Sequence, residues 1–158
     1  MSDNNLKVIY NELKKRLESL TKANGFVFDI GNTIYDAAQH LTVDQMPCAA
    51  IIMGEVRSVD KVTNNLKCSF VVDVMVNAHC LKPELEVGVP EKTDTEVALD
   101  LMFDVQKALL SGGVVLKQNL DNVKIEDVVS SIAQTKQDGL PVISVGVLLR
   151  VVYNQIFK

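Results

Sequence analysis

Tryptophan is absent from this chain, and tyrosine and phenylalanine together supply only eight residues. Any hydrophobic core must therefore be built from Val, Leu, Ile and Ala. No run approaches the roughly 18 apolar residues of a membrane-spanning helix, and the opening MSDNNLK has no apolar signal region. No basic stripe with interleaved aromatics occurs, which argues against a sequence-reading nucleic-acid binder. The 16 basic and 20 acidic residues leave a net charge of −4. Cys48, Cys68 and Cys80 are odd in number and lack any C-x-x-C spacing. On one continuous strand, Cys68 and Cys80 would stand about 40 Å apart, too far to bridge. All three are expected to be buried thiols in a reducing compartment, in a protein made and folded in a cytoplasm.

The length of 158 residues favours one domain spanning 1–158, large enough to bury about 70% of its unfolded surface without metal or disulfide. Leu6, Ile9, Leu13, Leu17 and Leu20 mark the stripe of a first helix, with N-caps available at Ser2, Asp3 and Asn4 and a stop at Asn24-Gly25. Glu12/Arg16 and Glu18/Lys22 are i,i+4 pairs on that helix. Residues 30–37 read as a short strand, followed by the polar loop QHLTVDQ. Cys48 to Met53 is almost unbroken apolar sequence, the pattern of a strand covered on both faces and placed centrally. After a turn at Asp60 to Asn65, Leu66 to Leu81 forms a long strand with Leu66, Cys68, Phe70, Val72, Val74 and Val76 on one face. These two strands are expected to pair as a hairpin.

Residues 82–92 form a loop. Thr93 and Glu96 then make a capping-box pattern that opens a second helix, which ends at Gly112-Gly113. Val123 to Thr135 and a strand from Pro141 form a second hairpin around Asp138-Gly139. On the last strand, Ile143, Val145, Val147, Leu149, Val151 and Tyr153 share the core face. The fold expected is α+β, a single domain with a largely antiparallel sheet of four to five strands packed with two helices. Its order is α-β-β-β-α-β-β.

Candidate chemistry is sparse. Asp29-Ile30-Gly31-Asn32-Thr33 after Phe26-Val27-Phe28 looks like the phosphate turn of actin-like kinases, which require a second phosphate loop. Gly112-Gly113 ends a helix, whereas phosphate is gripped at a helix start. A turn leading into an edge strand is the better reading. Glu96, Asp100 and Asp104 lie one turn apart beside Lys107, as on a solvated helix face. His79 and Cys80 point to opposite faces of a strand and cannot act together. No catalytic residue, metal site or cofactor is expected. Arg57, Lys61 and Lys67 gather at the first hairpin turn, either as an ordinary polar turn or as a contact for an acidic partner. On the second helix, Leu99, Phe103 and Leu110 form an apolar cluster separate from the broad face of Val97, Ala98, Leu101, Met102, Val105, Ala108 and Leu109. A helix on one sheet needs one stripe. The extra cluster is covered by the first helix, covered by another subunit, or left exposed.

Motifs along the whole chain, in order, resemble those of the tail terminator proteins of long-tailed bacteriophages. The similarity comprises the helix ending at Asn24-Gly25 with Asp29 and Gly31 after it, and Met46-Pro47 entering an apolar strand with Gly54-Glu55 beyond. It continues with FVVDVMVNAHC, DTEVALDLMFDVQKALLSG and the closing DGLPVISVGVLLRVVYNQ. The resemblance implies a non-enzymatic virion protein that forms a ring, typically a hexamer, on the head-proximal end of the tail tube. Its implied partners are copies of itself, the tail tube protein and a neck or head-completion protein. DNA would pass through the bore without sequence-specific binding, and a lining that is not basic suits the net charge. A head-tail connector or neck adaptor is the alternative within the virion. A small nucleotide-binding phosphotransferase using Asp29 to Thr33 is the alternative of another class.

Overall fold

A computed structural model describes residues 4–36, 42–59, 67–82, 87–117, 123–137 and 139–157, with the side chains of Lys67 and Thr135 outside that set. The first helix, α1 (Asn5–Glu18), starts where Asn4 accepts a hydrogen bond from the Lys7 amide. Ile9, Leu13 and Leu17 fall on one stripe and are fully buried. The helix stops at Glu18, before the expected Asn24-Gly25, because the chain folds back onto its last turn. A short 3-10 turn over Lys22–Asn24 follows and ends at Gly25, whose φ of +88° suits glycine.

Strand β1 is only Ile34–Tyr35, shorter than the expected 30–37, since Asp29 to Thr33 are engaged in turn contacts. It pairs in parallel with β2 (Cys48–Ser58), at Ala49 and Ala50. β2 in turn pairs antiparallel with β3 (Lys67–Leu81), with Ile51 opposite Val76. Between Met53 and Val56 the register shifts, and Gly54 lies so close to β3 that a Cβ there would sit 2.6 Å from the Asp73 carbonyl oxygen. The apolar run is central only in part. Cys48 to Ile51 are buried, but the strand beyond Met53 is exposed.

The second helix, α2 (Asp94–Leu110), opens with the capping box anticipated at Thr93 and Glu96. Three further strands follow it: β4 (Val115–Lys117), β5 (Val123–Gln137) and β6 (Leu140–Ile156). Gln137 stands opposite Leu140, and Gly139 takes a φ of +76° in the tight turn between them. Among the described residues the sheet has six strands in the order β1-β2-β3-β6-β5-β4, where four to five were expected. β4 is the addition. Three residues are too few to show alternation, and β4 pairs with β5 beside a bond from the Ile125 amide to the Val114 carbonyl. The parallel β1 makes the sheet mixed, and the rest is antiparallel.

Both helices bury their stripes on one face of this sheet. Ile9, Leu13 and Leu17 of α1 and Leu101, Val105 and Leu109 of α2 join Val72, Val74 and Val76 of β3 and Val145, Val147 and Leu149 of β6. Each such side chain contributes about 1.5–3 kcal/mol when removed from water. Polar contacts fix the angle of α1. The buried Asn5 donates its amide N–H to Gln155 Oε1 at 2.9 Å, and its Oδ1 accepts from Lys117 Nζ at 3.2 Å.

Candidate functional site

The stretch from Asp29 to Thr33 is a structural clasp. Asp29 Oδ1 accepts from the Lys22 amide at 2.6 Å, capping the 3-10 turn. The amides of Ile30 and Gly31 both donate to the Leu20 carbonyl, at 2.9 and 2.8 Å. Gly31 has no room for a side chain, because a Cβ would lie 2.2 Å from the Glu18 carbonyl oxygen. The Thr33 hydroxyl sits 2.6 Å from the Pro47 carbonyl, and the Thr33 carbonyl accepts from the Ala49 amide. These groups tie the end of α1 to the start of β2. The amides of Ile30, Gly31 and Thr33 are engaged by the chain itself.

Glu96, Asp100 and Asp104 of α2 lie in three environments and do not form one solvated strip. Glu96 completes the cap, and Asp100 pairs with Lys92 at 2.7 Å. Asp104, expected on the solvated face, is buried: its Oδ2 accepts from the amides of Val27 and Phe28 at 2.8 and 3.0 Å. Burial raises its pKa, against the lowering effect of those two bonds and of Lys107. Lys107 itself lies 5.0 Å over the Phe26 ring. The Phe26 to Phe28 segment is thus moored to α2 by a carboxylate and a cation.

Arg16 is the second polar residue whose role the sequence hid. Besides its bond to Glu12, its guanidinium donates to the carbonyls of Leu109 and Gly113, both at 2.6 Å. The orphan carbonyls at the end of α2 thereby find their donors in α1. Nothing local marks Arg16 for this, since its partners lie more than 90 residues away in sequence.

His79 and Cys80 do face opposite ways. Cys80 is in the core, whereas His79 Nδ1 meets Ser144 Oγ at 2.7 Å on the other side of the sheet. Burial lowers the His79 pKa. Burial also pushes the Cys48 thiol up to about 11 and, with a smaller effect of Cys48, the Cys80 thiol to about 12. Cys48, Cys68 and Cys80 are free and buried, so thiolate chemistry at Cys48 and Cys80 is suppressed.

The apolar cluster on α2 splits. Leu110 is partly buried and packs on the core, so it leaves the trio. Leu99 and Phe103, one turn apart, remain 52% and 63% exposed, and α1 does not cover them. Gln106 Nε2 bonds Ser130 Oγ at 3.0 Å and sets this side of α2 against β5. Arg57 reaches Glu55 at 3.4 Å and Asp73 at 3.7 Å, and Asp73 also holds Arg150 at 3.1 Å. Lys61 and the side chain of Lys67 lie outside the described residues. Among the described residues, the charge at Arg57 belongs to a network across the sheet.

The sequence matches no protein-family model and none of the curated proteins. Among the described residues, no helix is long and apolar enough to cross a membrane.

Proposed function

We propose that the chain is a structural virion protein of a long-tailed bacteriophage, a tail terminator that closes as a ring on the head-proximal end of the tail tube. The reading is supported by the motif order along the whole chain. The single structural observation that favours it is the apolar pair Leu99 and Phe103, held out to solvent on a well-anchored helix. An exposed aromatic beside a leucine offers a second copy an apolar contact. Stopping a polymer requires one face that matches the growing end and another that recruits no further tube subunit. Head-to-tail contacts between identical copies supply both when they close into a ring. Copies of the protein would then sit between the tube and the neck or head-completion protein, with DNA passing through an uncharged or acidic bore.

Adding the protein to polymerising tail tube subunits tests this directly. A terminator shortens the tubes and appears as a ring at one end in negative stain. A neck adaptor leaves tube length unchanged, and that result removes the terminator reading. The phosphotransferase alternative predicts a rise in melting temperature with millimolar ATP and Mg²⁺. The engaged amides of Ile30 and Gly31 speak for no shift.

A further inference from the structure

Among the described residues, both edges of the sheet are largely unpaired. β1 pairs with β2 only at Ala49 and Ala50, and β4 pairs with β5 only at Val123 and Lys124. Among the described residues, no other strand lies beside these two edges. From Val128 to Gln134, β5 reads Val-Val-Ser-Ser-Ile-Ala-Gln, without charge, proline or glycine. Monomeric proteins blunt such edges with lysine, proline or a bulge. This stretch has none of them.

The two edges are also complementary. β2, β3, β6 and β5 are joined by successive antiparallel pairs, so β5 runs opposite to β2. A second copy in the same orientation therefore presents its β2 antiparallel to β5. Charges alternate across the face turned away from the helices. Arg57 on β2 pairs with Asp73 on β3, Asp73 pairs with Arg150 on β6, and Arg150 stands opposite Asp127 on β5. Glu55 shares Arg57, and Glu126 adds to the acidic end of the row. The row ends acidic at one edge and carries its arginine at the other.

We infer that β5 of one copy takes β2 of a second copy as its missing neighbour, with Asp127 opposite the second copy's Arg57. With Gly54 and Glu55 forming the bulge they already form against β3, this register sets Val56 against Val128, Met53 against Ser130 and Ile51 against Ile132. All six of these residues lie on the helix side of the sheet, while Ile52 and Ser131 meet on the other face. A slip of one residue would oppose the two faces. Further out, the Ala49 amide already donates to the Thr33 carbonyl beside β1 and the Ile125 amide to the Val114 carbonyl before β4, so the ladder fills the free edge and stops. It covers Val56, Val129 and Ile132, which are 40%, 56% and 38% exposed. It also brings the second copy up to Leu99 and Phe103, since α2 meets β5 through Gln106 and Ser130. The contact is heterologous and repeats at each copy, and it rests on the ring reading above for its closure.

Disulfide trapping tests the register. Paired Cα atoms in an antiparallel ladder stand about 4.5–5.5 Å apart, within reach of a disulfide. Arg57→Cys and Asp127→Cys are both surface changes, and circular dichroism checks that each folds. On mild oxidation of the full chain, an equal mixture of the two variants is expected to give a crosslinked dimer. The double variant should give a ladder of multimers, and each single variant alone should stay uncrosslinked. Val129→Lys is expected to raise the concentration for half-assembly at least tenfold. Self-crosslinking of Asp127→Cys would indicate two-fold pairing of β5 with itself and overturn the proposal. An assembled ring with no crosslink between the Arg57→Cys and Asp127→Cys variants would overturn the edge pairing and leave the ring reading standing. A protein that sediments as a monomer at every concentration and does not limit tube length would remove both.

Discussion

Arg16 illustrates how single residues hold this fold together. Its guanidinium supplies donors to the Leu109 and Gly113 carbonyls at the end of α2 while pairing with Glu12. Arg16→Met keeps the stem and removes every donor. Losing charged hydrogen bonds to buried carbonyls costs about 3 kcal/mol, so the urea midpoint should fall with little change in slope. Arg16→Lys should recover only part of this, because an ammonium cannot reproduce the planar fork. His79 makes the pH prediction. Burial lowers its folded pKa below the ordinary 6.5, so the folded state favours the neutral ring. That contribution is present above pH 6.5 and is lost as pH falls through 6.5 toward the lower folded value. Asp104, whose pKa is raised, acts with the opposite sign over its own range. Melting temperatures of wild type and His79→Gln between pH 7.5 and 5.5 isolate the histidine. Wild type should lose stability relative to the variant as pH drops, and parallel curves would refute the assignment.

At the scale of elements, the strongest local signals produced the elements they promised. The Thr93–Glu96 capping box opens α2, with the Thr93 hydroxyl accepting from the Glu96 amide at 3.2 Å and the Glu96 carboxylate accepting from the Thr93 amide. Thr93→Ala should cost about 1 kcal/mol in thermal or denaturant unfolding. The alternations in β3 and β6 were legible because one face of each is buried along its length, so the pattern repeats every second residue. β4 was not legible because three residues carry no period. β1 shrank because Asp29 to Thr33 bond to Lys22, Leu20 and Pro47, partners that no window over that stretch contains. Glu96, Asp100 and Asp104 share a helical spacing, but spacing does not reveal that the Phe26 to Phe28 segment crosses Asp104.

For the whole molecule, the proposed ring turns on which surface would meet another copy. Leu99, Phe103 and Leu110 looked equivalent on a helical projection. The packed core takes Leu110 and leaves the other two. Phe103→Asp should leave secondary structure and melting temperature nearly unchanged, since the ring is 63% exposed. It should shift the assembled protein to monomers in sedimentation velocity. A folded variant with unaltered assembly would take Phe103 out of the interface.

Sequence alone determined the main inward faces of the long elements. The leucine stripe of α1, the capping box of α2 and the alternating faces of β3 and β6 follow from periods of 3.6 and 2, which are properties of the chain itself. Only the tertiary structure decided which elements lie side by side. That in turn set the partners of Arg16 and Asp104, the loss of Leu110 to the core, and the stretches of β2 and β5 that have no strand neighbour among the described residues. Periodicity records whether a side chain is covered and carries no information about what covers it, so strand order and long-range hydrogen bonds emerge only when the packed sheet brings distant segments together.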